Sequence, residues 1–128
     1  MSTSCAIGME LPDGKVKAVR CHWDGYVAGV GAILAGWYTE ADKVEALLDL
    51  GNLSEVKQEL ADCVAYHRDK GEQLIPATRF ADVDKYRYTA KGDMEAQYLY
   101  LYKDGRWQVY GVYNEPDWIE ISVTIGGN

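Results

Sequence analysis

Residues 96–113 read AQYLYLYKDGRWQVYGVY, with Asp104-Gly105 at their centre. That dipeptide suits a two-residue type I′ turn, because both central positions of such a turn need a positive φ. Two strands follow, Ala96–Lys103 and Arg106–Tyr113, with Tyr102 opposite Trp107 in the register that a two-residue loop imposes. Side chains alternate across a strand. Tyr98, Tyr100 and Tyr102 therefore share one face with Trp107, Val109 and Tyr113, while Leu99 and Leu101 share the other with Tyr110 and Val112. Both faces are apolar enough to bury.

Beyond this hairpin, Trp118–Ile125 alternates Ile119, Ile121, Val123 and Ile125 against Glu120, Ser122 and Thr124, the pattern of a half-solvated strand that ends a sheet. At the other end of the chain, Ser4–Leu11 and Lys15–Trp23 flank Pro12-Asp13-Gly14 and read as a second hairpin. A three-residue loop there sets Cys5 opposite Cys21; a two-residue loop sets it opposite His22. Asp24 then offers an N-cap acceptor, and Val27, Val30, Leu34 and Trp37 recur at helical spacing as far as Tyr38. Gly25, Gly29 and Gly36 lie near one stripe of that helix, where a missing Cβ admits a close neighbour.

A second helix starts after Thr39 as N-cap, carries Glu40 and Asp42 in its first turn and the stripe Val44, Leu47, Leu48, and stops at Gly51. Ser54 caps a short helical stretch to about Leu60, and Cys63–Asp69 alternates as a strand ending at Lys70-Gly71. Residues 73–93 read as a long connection with one helical turn near Asp82–Tyr86. The sum is one α+β domain: a mainly antiparallel sheet of about five or six strands, with two principal helices grouped after the first hairpin.

Composition narrows the function classes. The 128 residues are 48% apolar and 26% charged, which fits one globular domain with a packed core. Thirteen basic against twenty acidic residues give a net charge of −7, which repels nucleic-acid phosphates, so direct DNA or RNA binding is not expected. No apolar run approaches the roughly 20 residues of a bilayer span, and no basic-then-apolar leader opens the chain, so a cytoplasmic protein without membrane contact is expected. Cys5, Cys21 and Cys63 are odd in number and widely spaced, which suits a reducing compartment.

Several constellations compete with plainer roles. The cysteines, with His22 and His67, lack the tight spacings of a metal site, and no metal or cofactor is expected. Paired with an imidazole oriented by Asp24 or Asp69, one of the thiols would be a nucleophile, though none sits in a recognisable nucleophile turn. Gly25, Gly29 and Gly31 do not match a phosphate-binding loop. The Asp82, Asp84 and Asp93 series fails as a calcium loop, since Arg87 stands where glycine is required. Residues 39–70 carry eight acids against four bases. Glu40, Asp42, Glu45 and Asp49 thus make either a solvated helix face or a surface that steers a basic partner. Tyr98, Tyr100, Tyr102 and Trp107 are either core or, if helices cover only one side of the sheet, a recognition face.

The segments Cys21-His22-Trp23-Asp24-Gly25-Tyr26, Gly29-Val30-Gly31, Lys43-Val44-Glu45-Ala46-Leu47, Leu50-Gly51-Asn52-Leu53-Ser54 and Ala65-Tyr66-His67-Arg68-Asp69-Lys70-Gly71-Glu72 together resemble a family of small tailed-phage and prophage proteins. The likeness spans about half the chain. Val27 departs from the family's usual proline, which would suit a first helical position. No activity is settled for that family, so the resemblance implies no catalytic residue. It implies phage origin, a bacterial cytoplasm and an accessory gene.

The function expected on these grounds is non-enzymatic binding of a bacterial host protein, such as a CRISPR or other defence effector, through an acidic and aromatic surface; self-association of the chain stays open beside it. The turn His22, Trp23, Asp24, Gly25, Tyr26 is the motif to locate. One alternative is a sponge for a nucleotide immune signal, with Arg68, Arg79 or Arg87 on phosphate. Another is a small Cys/His enzyme.

Overall fold

A computed structural model describes residues 3–111 and 118–121. The first hairpin forms as β1 (Cys5–Glu10) and β2 (Val16–Cys21). Leu11 N–H donates to Lys15 O at 2.7 Å and Gly14 N–H to Leu11 O at 2.9 Å, which closes a three-residue loop and sets Cys5 opposite Cys21. The last hairpin forms as β6 (Tyr98–Lys103) and β7 (Arg106–Gly111), with Tyr102 opposite Trp107 and positive φ at Asp104 (54°) and Gly105 (77°).

The two hairpins join in a way the local pattern does not reveal. β1 lies parallel to β6, with Ile7 beside Tyr100. β2 continues outward to β3 (Leu53–Glu55), again parallel, and β3 to β4 (Val64–Ala65). On the other flank β7 pairs with β8 (Ile119–Glu120), and β5 (Thr78–Phe80) pairs with the first half of β2. The order is β4-β3-β2-β1-β6-β7-β8 with β5 attached to β2. The fold is α+β, but its sheet is mixed and has eight strands among the described residues, where five or six mainly antiparallel ones were expected. The short strands β3, β4, β5 and β8 have two or three residues each, too few to show a period.

Helices cover both faces. A π-helical turn (Val27–Gly31) runs into α1 (Ala32–Trp37), and α2 (Ala41–Asp49) follows. Val30, Leu34, Val44, Leu47 and Leu48 pack on Ile7, Val19, Tyr100, Tyr102 and Trp107. On the opposite face α4 (Val83–Asp93) lays Tyr86 and Ala90 over Ala6, Ala18, Leu99 and Leu101. Tyr86 sits on Gly8, where a Cβ would lie 2.9 Å from its ring, so the central strand is glycine at the one point where α4 approaches closest.

Five local expectations change. Asp24 does not cap a helix: its backbone is left-handed (φ 60°), and the helical segment begins after Tyr26 without a side-chain cap. Thr39 is not the N-cap of α2 either; Glu40 occupies that position, and Thr39 O instead accepts from Tyr102 Oη at 2.8 Å. Ser54 is buried in β3 rather than capping a helix. The Cys63–Asp69 alternation yields two strand residues and then α3 (Tyr66–Lys70), because Asp69 Oδ2 takes the Ala65 N–H at 2.7 Å and Gly71 (φ 70°) closes the turn. The expected helical turn near Asp82 proves to be eleven residues, with Asp82 Oδ1 accepting from Lys85 N–H at 2.8 Å. The strand expected over 118–125 is described only to Ile121; Val123 and Ile125 lie outside the described residues, as do Val112 and Tyr113.

Candidate functional site

The turn after β2 is the most distinctive exposed feature of the chain. His22 N–H and Trp23 N–H donate to Leu53 O (3.0 Å) and Ser54 O (3.1 Å), extending the parallel pairing one step past the strand. Asp24 then reverses the backbone, and its carbonyl accepts from Val30 N–H at 2.8 Å. Gly25 N–H donates to Thr3 O at 2.8 Å, and a Cβ on Gly25 would stand 2.8 Å from the Ser4 carbonyl carbon. A Cβ on Gly29 would collide with Asp24 O. Gly31 N–H reaches Tyr26 O, five residues back, so the glycines let the chain coil wider than an α-helix.

This rigid base presents a knuckle of apolar side chains to solvent. Trp23 is 44% exposed, Tyr26 43% and Val27 38%. The His22 ring meets Trp23 edge-on at 4.5 Å, and Tyr26 Oη lies 3.5 Å from Asp24 Oδ1. Beside the knuckle a small cleft of 90 Å³ runs between Trp23, Tyr26, Ile33, Val56 and Lys57. Thus the expected motif residues His22, Trp23, Asp24, Gly25 and Tyr26 do gather, and Val27, Ile33 and Lys57 join them, which the one-dimensional motif did not indicate.

The tyrosine face of the last hairpin behaves differently. Tyr100, Tyr102 and Trp107 are buried and Tyr98 half-buried, beneath α1 and α2. They are core, and the recognition-face alternative fails because helices cover that side of the sheet. Their polar tips bind backbone carbonyls: Tyr100 Oη donates to Gly25 O (2.7 Å), Tyr102 Oη to Thr39 O (2.8 Å) and Trp107 Nε1 to Tyr38 O (2.8 Å). Burial pushes the Tyr100 and Tyr102 phenols above their ordinary range. Tyr100 therefore supports the motif turn from below without touching solvent.

Glu40, Asp42, Glu45 and Asp49 are all exposed on and beside α2. Lys17, itself buried, extends its Nζ from β2 to Glu45 (3.0 Å) and Asp49 (3.8 Å), so half of this acidic set is already paired. Lys17 is the second residue of β2 and Trp23 lies beyond its end, a span of six residues or roughly 20 Å of extended chain. The acidic set and the knuckle are two separate surfaces.

The thiols and imidazoles expected to pair do not meet. Cys5 and Cys21 lie opposite each other across β1 and β2, and Cys21 Sγ donates to Trp23 O (3.5 Å) and Ser54 O (3.7 Å); burial first, then the neighbouring Cys21 thiol, holds Cys5 well above the usual thiol range, while the neighbouring Cys5 thiol brings Cys21 below it. Cys63 accepts from Lys57 N–H at 3.2 Å and lies 3.3 Å from Tyr38 Oη. His22 Nδ1 faces Arg20 Nη1 at 3.3 Å, and His67 Nδ1 donates to Glu72 O at 2.8 Å. No group of three or more His, Cys, Asp or Glu able to hold a metal ion assembles among the described residues. The arginines proposed for phosphate are also apart. Arg68 is committed to Asp69, Leu60 O and Cys63 O, and Arg87 lies over the Tyr88 and Tyr110 rings, while Arg79 lines a different cleft with Lys17. Among the described residues no helix is long and apolar enough to cross a membrane.

No family model matches the chain, and no curated protein or solved structure matches it significantly. The class defined by fold and site is an α+β protein whose motif builds an exposed aromatic turn.

Proposed function

We propose that this is a binding protein that engages a protein partner through the Trp23–Val27 knuckle, with the acidic α2 face as a second surface that steers a basic partner. The observation that carries the reading is the pairing of two half-exposed aromatic rings with a backbone locked by Gly25, Gly29 and the backbone hydrogen bonds around them. Aromatic anchors on a rigid base lose little conformational entropy on binding, which is why such residues dominate interface energetics. The resemblance to phage and prophage proteins makes the partner a bacterial host protein of a defence system, and the chain its inhibitor in the host cytoplasm. The nucleotide-sponge and Cys/His-enzyme alternatives have weaker support, since the arginines are dispersed and no thiol bonds an imidazole among the described residues.

The test is capture of a defence protein by the wild-type chain, together with improved phage plating on hosts carrying that system. The Trp23→Ala/Tyr26→Ala variant is expected to lose both while melting within a few degrees of wild type, because surface truncations away from packed contacts cost little. Equal capture and plating by that variant, or no effect of the wild type on plating, overturns the reading.

A further inference from the structure

On the opposite side of β2 from the acidic helix lies a cleft of 280 Å³ whose wall includes Arg20, Asn52, Ile75, Asp93, Met94 and Glu95. Three observations single it out. First, a guanidinium and two carboxylates line one cleft, yet Arg20 makes no ion pair within 4 Å among the described residues. Its Nη1 faces His22 at 3.3 Å, and its buried Nε has no hydrogen-bond partner among the described residues. Unlike charges that share a wall without touching leave room for something between them.

Second, both carboxylates stand where a helix least favours them. Asp93 is the last residue of α4 and Glu95 follows two positions later, so both sit at the negative end of the helix dipole. Lys91 places one cation in that last turn but does not line the cleft, so the two carboxylates there favour a further one. Third, Glu95 is held in a left-handed backbone conformation (φ 51°), a region that glycine or asparagine occupies more readily. The strain is maintained from outside the turn: Ser4 Oγ donates to Glu95 O at 2.6 Å, Gln97 N–H to Ser4 O at 3.0 Å and Ser4 N–H to Gln97 Oε1 at 3.1 Å. Strain kept by its surroundings is a mark of a functional position.

From these we infer that the Arg20–Asp93–Glu95 cleft binds a free basic α-amino acid of the lysine or arginine type. Arg20 takes the ligand carboxylate, and Asp93 and Glu95 take its two cationic groups. Charge balance selects this class: one guanidinium and two carboxylates sum to −1, which a ligand with one anionic and two cationic groups neutralises. The cleft, at 280 Å³, has room for a ligand of this class. Ile75, which is 56% exposed, and Met94 offer apolar contact to the ligand's methylene chain. The inference does not depend on the protein-binding role above. The site nevertheless connects to the knuckle, because Arg20 bonds His22 and His22 meets Trp23 edge-on.

Calorimetric titration of the full chain with L-lysine and L-arginine tests it, with agmatine (no carboxylate) and L-norleucine (no side-chain cation) alongside. Saturable binding of lysine or arginine is expected, at least tenfold tighter than that of agmatine or norleucine. Asp93→Asn and Glu95→Asn should each weaken it tenfold or more. Both are surface positions, and Asn suits the Glu95 backbone, so these variants stay folded even if Arg20→Met does not. No saturable binding by the wild type, equal binding of agmatine, or unchanged affinity in both Asn variants overturns the inference.

Discussion

Gly25 shows how one missing side chain shapes the candidate site. A methyl there would meet the Ser4 backbone at 2.8 Å and the Cys5 side chain at 2.9 Å, neither of which can retreat, because Cys5 is paired on both sides within β1. Gly25→Ala is expected to lower stability by about 1–3 kcal/mol, the usual range for overpacking a closed site. Urea denaturation checks this, and an unchanged midpoint would mean that the turn is looser than its contacts indicate. The glycine stripe was legible as a request for close approach; its neighbour was not. The neighbour is the entry to β1, Ser4 and Cys5, about twenty positions back, which no local spacing names. Asp24 misled for a related reason, since aspartate is favoured both as a cap and in left-handed turns, and local sequence does not choose between them.

Among the elements, the last hairpin was readable to the register, the first only to a choice between two loop lengths, and α4 was not. Turn chemistry at Asp104-Gly105 fixes loop length, and loop length fixes which side chains face each other, whereas Pro12-Asp13-Gly14 suits loops of two or three residues and the choice shows only in the Leu11–Lys15 bond. In α4 only Tyr86 and Ala90 are fully buried, and between them stand Arg87, Tyr88 and Thr89, so the apolar stripe is too thin to mark a helix. Its order comes from the Asp82 cap and from Tyr86 docking on Gly8. Asp82→Ala should therefore cost about 1 kcal/mol, the ordinary value of a lost N-cap acceptor. Gly92→Ala should do the opposite. It lies inside the same helix with nothing within 4 Å of an added Cβ, so alanine raises stability by roughly 0.5–1 kcal/mol. Thermal melts of the two variants should shift in opposite directions. A shift of the same sign in both would argue that α4 contributes little to the folded state.

Across the whole molecule, the parallel pairing of β1 with β6 organises everything else, and it joins segments some ninety residues apart, so no turn announces it. What the sequence did carry was its consequence: a last hairpin apolar on both faces, which in the folded chain lies in the sheet with α1 and α2 on one side and α4 on the other. Phenols tie these layers together. Tyr86 Oη donates from α4 to Tyr100 O at 2.8 Å, and Tyr100 Oη donates across the sheet's other face to Gly25 O at 2.7 Å. Burial pushes both phenols above their ordinary range. The folded chain keeps these two protons where the unfolded chain, ionising near pH 10, gives them up. Their stabilising contribution is thus complete below about pH 10 and is lost as pH rises beyond it, by about 1.4 kcal/mol per pH unit for each phenol. Tyrosinate absorbance and circular dichroism followed together through an alkaline titration should show a late ionisation step that coincides with loss of structure. In Tyr100→Phe that step should shrink, and stability at neutral pH should fall by about 1–3 kcal/mol, because the Gly25 carbonyl loses its buried donor. Smooth ionisation of every tyrosine with the dichroism intact would show that neither phenol bridges the layers, and the support of the Trp23–Val27 turn by the sheet beneath it would fail with them.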